Sequence, residues 1–293
     1  QEQRQANRTG EKMKYTADHV KDFNLDHIFD CGQCFRWERQ EDGSYTGTAM
    51  GKAVNMAFER GVLTIDNCTP EDYESIWRPY LDMDRDYGAI KAELSEADPT
   101  IKGACDYGYG IRILRQDFWE SVVSFIISQN NNIPRIKGCI EALCAAFGER
   151  IGEYGGKEYF SIPSPEKLAS LTSGDLAPIR LGYRAPYLVK AAAQFIEEGG
   201  PDAVQTRLTA AEDPIGQLQK FCGIGPKVAS CISLFGLGRT DAFPIDVWMR
   251  RVMNRLYGIE EKDMRSMAAY AAEHFGKYGG IAQQYLFYYI RSL

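Results

Sequence analysis

No stretch of this chain approaches the roughly eighteen consecutive apolar residues that a membrane-spanning helix needs, and Gln1 to Lys14 is polar and basic without the apolar core of a signal peptide. No membrane partner is expected, and the location read from this is cytoplasmic, or nuclear in a eukaryote. A disulfide framework is missing too. Eight cysteines are scattered through 293 residues, and a chain this long buries its own core without staples, so reduced thiols are expected. Cys31 and Cys34 form a C-x-x-C, but a zinc site needs a second such pair and a redox motif needs a thioredoxin-like βαβ context. Neither accompanies it, and no metal and no cofactor are expected.

An excess of positive charge is also lacking. The net charge of −6 weighs against a nucleic-acid partner, because phosphate binding is driven by Lys and Arg that displace counterions. Distribution can override the sum. Between Arg239 and Arg255 stand four arginines against two aspartates, and Ile179 to Lys190 holds Arg180, Arg184 and Lys190 with no acid.

What is present divides in two. Residues 1–12 have no apolar periodicity and read as a flexible terminus. From about Phe35 to Asp66, Phe35 and Trp37 alternate with polar residues, then Val54, Met56 and Phe58 alternate, and Arg60-Gly61 precedes Val62 and Ile65. Period-two patterning with tight turns predicts an antiparallel sheet, assigned to a domain over 13–112. After about Ile113 the period becomes helical, with Phe118, Val122, Phe125 and Ile126 on one stripe and Ile136, Ile140, Leu143, Cys144 and Phe147 on the next. Asn132 suits an N-cap with Pro134 in the first turn. Further helices are signalled by Ser164-Pro165, Arg184 to Glu198 and Asp213-Pro214. The expected fold class is α+β, a sheet domain followed by a mostly helical region over 113–293.

The chemistry concentrates between Ile215 and Gly258. A short helix runs into Cys222-Gly223-Ile224-Gly225-Pro226-Lys227 and then into a second helix, a helix-hairpin-helix over about 214–234. Backbone N–H groups exposed beside a helix N-terminus suit an anion such as a DNA phosphate, and Gly223 and Gly225 let the backbone approach it. Such a hairpin is often only a backbone clamp. Nineteen residues beyond Lys227, however, Asp246 opens another helical run, Val247 to Leu256. A carboxylate there serves as an N-cap, and it also arrives where a returning helix can face the lysine.

Several motifs occur in order: Cys31-Gly32-Gln33-Cys34-Phe35-Arg36-Trp37, Ser128-Gln129-Asn130-Asn131-Asn132-Ile133 with Arg135, Leu181-Gly182-Tyr183-Arg184, Gly223 to Ala229 with Cys231, Pro244-Ile245-Asp246-Val247, and Ala282-Gln283 with Leu286-Phe287. From about Asp30 onward the chain thereby resembles the helix-hairpin-helix glycosylases with a Gly/Pro-rich loop and aspartate, and within them the 8-oxoguanine DNA glycosylase/lyases. The resemblance implies a helix-hairpin-helix glycosylase core, a monomer acting on double-stranded DNA that contains 8-oxoguanine, with the nucleoid or nucleus as its place. It implies a flipped-out nucleotide, Lys227 as nucleophile and Asp246 as its carboxylate partner. It assigns Gly32, Cys231, Gln283 and Phe287 to the lesion pocket, Tyr183 to a wedge, and Asn130, Arg135 and Arg184 to the orphaned cytosine. Gly223, Gly225 and Trp248 fall to the DNA phosphates, Trp248 standing where many members carry a histidine. Phe235 replaces a more flexible residue common near the pocket.

Three other readings compete. A monofunctional alkyl-base glycosylase shares the fold and Asp246 but activates water and needs no lysine at the second helix, so Lys227 counts against it. An endonuclease III-like enzyme carries a four-cysteine iron–sulfur loop, whereas no cysteine follows Cys231. A non-enzymatic DNA-binding protein built on the same hairpin is the alternative from another class.

Overall fold

The computed structural model describes residues 13–291; the stretch 1–12, read as a flexible terminus, lies outside them. Five strands form one antiparallel sheet in the order β1-β5-β4-β3-β2: β1 Lys14–Ala17, β2 Trp37–Arg39, β3 Tyr45–Ala49, β4 Lys52–Glu59 and β5 Val62–Asp66. The alternation of Val54 and Met56 points both into a core with Trp37, Trp77 and Tyr80. Trp37 stacks on Phe29 at 4.3 Å, and its indole N–H donates to the Tyr80 hydroxyl at 2.9 Å.

Helices follow, as the change of period predicts. Phe118–Ser128 and Ile133–Phe147 carry the two expected stripes, Asn132 caps the second through the Arg135 N–H, and Asp213 caps Pro214–Leu218. The turn into the second hairpin helix, Pro226–Phe235, begins at Gly225.

Several elements are not read from the sequence. β1 has only four residues, half exposed, and is made a strand by distant pairing with β5. The helices Tyr87–Ala97 and Lys102–Tyr107 lie before residue 113, yet their Tyr87, Ile90, Leu94 and Cys105 enter the same core as Phe125, Phe235 and Tyr285. A hairpin of β6 Arg150–Tyr154 and β7 Lys157–Phe160 interrupts the helical region. Its Gly155-Gly156 turn has φ of 60° and 81°, the geometry of tight two-residue hairpins.

Two buried polar side chains tie the sheet domain to the helices. The Gln33 amide donates to the carbonyls of Ile28 and Arg112, each at 2.8 Å, and accepts from the Leu114 N–H at 2.9 Å. Arg36 donates to the Phe160 carbonyl at 2.6 Å and pairs with Glu141 at 3.2 Å and Glu120 at 3.6 Å. Each saturates groups that burial would otherwise penalise.

Burial pushes the Glu120 carboxyl up to about 7, against the pull of Arg36 and with help from Asp117 and Glu141. The folded chain therefore holds a proton that an ordinary glutamate, titrating near 4.5, has released. This contribution is fully present below about pH 4.5 and is lost as pH rises through about 7. Glu120→Gln should flatten the stability curve across that window by something on the order of 1–3 kcal/mol. Denaturant melts at pH 5 and pH 8 read this directly, and parallel curves for the two proteins would contradict it.

Candidate active site

Ten residues from five segments enclose one small cavity: Gly32 from the loop before β2, Phe125, then Lys227, Cys231 and Phe235 from the second hairpin helix, Pro244 and Asp246, and Gln283, Gln284 and Phe287 from the helix Gly279–Ile290. Of the residues assigned to chemistry and lesion binding from the sequence, all six are thus brought together. The space is about 30 Å³, room for about one water.

Lys227 enters it because it is the second residue of its helix, one turn before Cys231 on the same face. Its amine lies 5.6 Å from the centre of the Phe125 ring, which stacks on Phe235 at 5.4 Å. Among the described residues Lys227 has no ion-pair partner within 4 Å. Asp246 arrives as the N-cap of Val247–Tyr257, accepting from the Met249 N–H at 2.7 Å. It is therefore both a cap and a wall of the cavity. The Cys231 thiol is pushed up by burial and pulled down by the neighbouring Lys227.

Gly32 has φ of 82°, and a Cβ there would stand 3.1 Å from the Phe287 ring. Only glycine meets both conditions. Its loop is held from behind, since Gln116 donates its side chain to the Gln33 carbonyl at 2.6 Å and its backbone N–H to the Phe235 carbonyl at 2.9 Å. The C-x-x-C thiols flanking this loop are buried, and burial pushes Cys31 up to about 12. That leaves little thiolate at neutral pH.

A second group lies on the loop after Phe118–Ser128 and around Tyr183. Tyr183 is 48% exposed, with its hydroxyl donating to the Gln129 carbonyl at 3.2 Å. Arg184 is only 3% exposed: its guanidinium donates to the carbonyls of Gln129, Asn130 and Leu181 and lies 4.5 Å over the Tyr183 ring. Asn130 is exposed with φ of 45°. Arg135 is exposed and donates to the Arg180 carbonyl at 3.0 Å. Gln129 also bonds the Gly223 carbonyl at 2.9 Å, joining this loop to the hairpin.

In the hairpin, Gly223 has φ of 78°, and a Cβ there would strike Tyr187 at 2.6 Å, whereas Gly225 faces open space. Trp248 is 46% exposed with Arg251 5.0 Å over its ring. Of the arginines that made two local basic patches, Arg184 is internal and Arg239 is paired with Asp241 at 2.9 Å.

Sequence reasoning did not single out Pro244, Gln284, Gln33 or Gln116. The three-residue spacing of Gln284 and Phe287 was a usable signal for a shared face. Nothing local marks the contact between Gln33 and Gln116. A roomier cavity, about 530 Å³, lies between the sheet, the helix Ile133–Phe147 and the β6–β7 hairpin. Its cations are engaged, Lys137 with the Trp37 carbonyl at 2.8 Å and Lys157 with Glu38 at 3.3 Å. The smaller cavity brings together an amine that has no ion-pair partner among the described residues and a helix-capping carboxylate.

Comparison with known proteins follows the same division. Residues 17–122 match the 8-oxoguanine DNA glycosylase N-terminal domain, and residues 123–277 match the HhH-GPD superfamily base excision DNA repair protein family. The N-glycosylase/DNA lyase of Saccharomyces cerevisiae is 37% identical over 261 residues, spanning 80% of this chain and 68% of that protein. A solved structure of MBOgg1 in complex with a low-affinity DNA ligand is 43% identical with a TM-score of 0.90, covering 97% of each chain. The 8-oxoguanine glycosylase/lyase of Clostridium acetobutylicum, in complex with double-stranded DNA containing cytosine opposite 8-oxoguanine, is 40% identical with a TM-score of 0.88, covering 96% of this chain and 98% of that one. With an N-terminal sheet domain, a helix-hairpin-helix and a lysine-bearing cavity in one arrangement, the chain belongs to the 8-oxoguanine DNA glycosylase family within the HhH-GPD superfamily of base excision DNA repair proteins.

Proposed function

We propose that this chain excises 8-oxoguanine from duplex DNA, preferentially opposite cytosine, and then cleaves the strand through a Schiff base on Lys227. The observation that carries the reading is an amine without an ion-pair partner and a helix-capping carboxylate in the wall of one cavity. The DNA complex of the related Clostridium protein supports the choice of substrate.

The lysine nitrogen forms a bond to the sugar C1′ as the glycosidic bond breaks, and the base leaves with the electron pair. Asp246 steadies the positive charge that develops on the sugar, an interaction strongest in the transition state. Sugar opening converts the adduct to a Schiff base. Loss of a C2′ proton then expels the 3′ phosphate, so strand cleavage follows from an amine nucleophile in place of water. A space of about 30 Å³ admits no purine, so the Phe287 ring moves off Gly32 when the base enters. The ring then sandwiches the base against Cys231. The Gly32 carbonyl accepts the N7 proton that 8-oxoguanine has and guanine lacks, and guanine would leave that acceptor facing a lone pair.

Gly223, Gly225 and the Trp248 face take the DNA backbone, and Tyr183, exposed and clamped by Arg184, fills the stack. Arg135 donates to the acceptors of the orphaned cytosine. Arg184 serves that recognition by fixing the loop that presents Asn130.

Three outcomes test this. Lys227→Gln should keep duplex binding but lose both excision and the borohydride-trapped adduct; wild-type single-turnover cleavage by the variant would remove Lys227 from the chemistry. Asp246→Asn should retain the helix cap, since Asn caps as well as Asp. It should nonetheless slow excision far more than it weakens binding, and an equal loss in both would contradict the catalytic role. Arg135→Ala should flatten the preference for cytosine by about 1–3 kcal/mol, read as excision rates opposite the four bases. Equal wild-type rates opposite all four would end the claim of recognition.

A further inference from the structure

Gln284 sits in the cavity wall beside Gln283, and both are buried. The side-chain N–H of Gln284 donates to Gln283 Oε1 at 2.7 Å. The other half of the Gln284 amide, Oε1, is buried with no hydrogen-bond partner among the described residues. A buried acceptor left unmade is a standing cost. Gln284 is one of the residues that line the cavity, so a molecule that enters can satisfy it.

The tie between the two amides has a second effect. A lone glutamine side chain turns over freely and presents either its donor or its acceptor to a ligand. With Gln283 Oε1 turned toward the Gln284 N–H, the Gln283 amide is held in one orientation with its Nε2 donors on the other side, and the Gln284 amide is held with its Oε1 acceptor turned away from the shared bond. Together they present one donor beside one acceptor in fixed order. That is the complement of a 6-oxo-2-aminopurine edge, in which O6 accepts while N1–H and the 2-amino group donate. A 6-aminopurine offers the reverse, an amino donor at C6 and a bare N1 lone pair.

We infer that Gln284 is a specificity-determining residue: its Oε1 accepts from the N1–H or 2-amino group of the flipped base, while its N–H fixes Gln283 to donate to O6. The inference rests on the glycosylase reading above and extends it. Gly32 distinguishes oxidised from normal guanine at the five-membered ring. Gln283 and Gln284 distinguish guanine-type from adenine-type lesions at the six-membered ring.

The test compares single-turnover excision of 8-oxoguanine and of 8-oxoadenine, each opposite cytosine, by wild type, Gln284→Met and Gln284→Ala. Met matches the length of the side chain without its amide, and Ala removes it without adding bulk, so a packing failure of one variant leaves the other to decide. Both variants should excise 8-oxoguanine about tenfold more slowly, as expected for one buried hydrogen bond lost. Their 8-oxoadenine rate should hold or rise, because a repulsive lone pair has gone. The 8-oxoguanine to 8-oxoadenine ratio thus falls about tenfold or more. An unchanged ratio, whether the two rates hold or fall together, assigns Gln284 to packing and overturns the inference. Wild type that excises neither base would instead contradict the glycosylase reading itself.

Discussion

The Gln33 side-chain amide joins the sheet domain to the helical core one residue away from Gly32. It is fully buried and bonded at every point, to Ile28, Arg112 and Leu114 through the side chain and to Gln116 through its carbonyl. Because Gln116 also bonds the Phe235 carbonyl, two walls of the cavity hang from one short network. A loop with a left-handed residue is ordinarily a mobile place. Here the loop that carries Gly32 is held in place, since moving it breaks several buried hydrogen bonds at once. Arg36, bonded to Phe160, Glu120 and Glu141, pins the far end of the same loop.

Charge is disposed with similar economy. The chain is acidic overall, with a net charge of −6, yet it belongs to a family of DNA repair proteins. Cations in its basic stretches are divided between tasks: Arg184 holds a loop from inside and Arg239 pairs with Asp241. Among the described residues Lys227 has no ion-pair partner within 4 Å. Its amine lies over an aromatic ring and against the Cys231 thiol, in a cavity whose wall includes a carboxylate already engaged by a helix N-terminus. Asp246 is at once a helix cap and a wall of the cavity. The cap fixes one oxygen and thereby the direction of the carboxylate.

Features whose causes are local were legible in the sequence. Asn132, Ser164, Asp213 and Asp246 all cap helices as their spacing indicates, because a cap is made within three residues. Six of the ten cavity residues were legible through a family likeness that covers most of the chain. What escaped depends on distance. β1 is a strand only because β5 lies beside it, and the bond from Gln116 to Gln33 spans 83 positions. The β6–β7 hairpin carries a Gly-Gly turn signal, but its two strands are short and stand between long stretches of helical periodicity. Nothing in the sequence sets Gln284 apart, since only the packed helix shows which of its atoms has no partner among the described residues.

The central claim is that Lys227, and no other amine of this chain, forms the bond to the sugar. Borohydride reduction of the reaction on an 8-oxoguanine:cytosine duplex, followed by nuclease digestion and peptide mass spectrometry, locates that bond. The account predicts a single sugar adduct on Lys227, within the segment Gly225-Pro226-Lys227. An adduct on Lys137, Lys157 or another amine, with Lys227 unmodified, would contradict it.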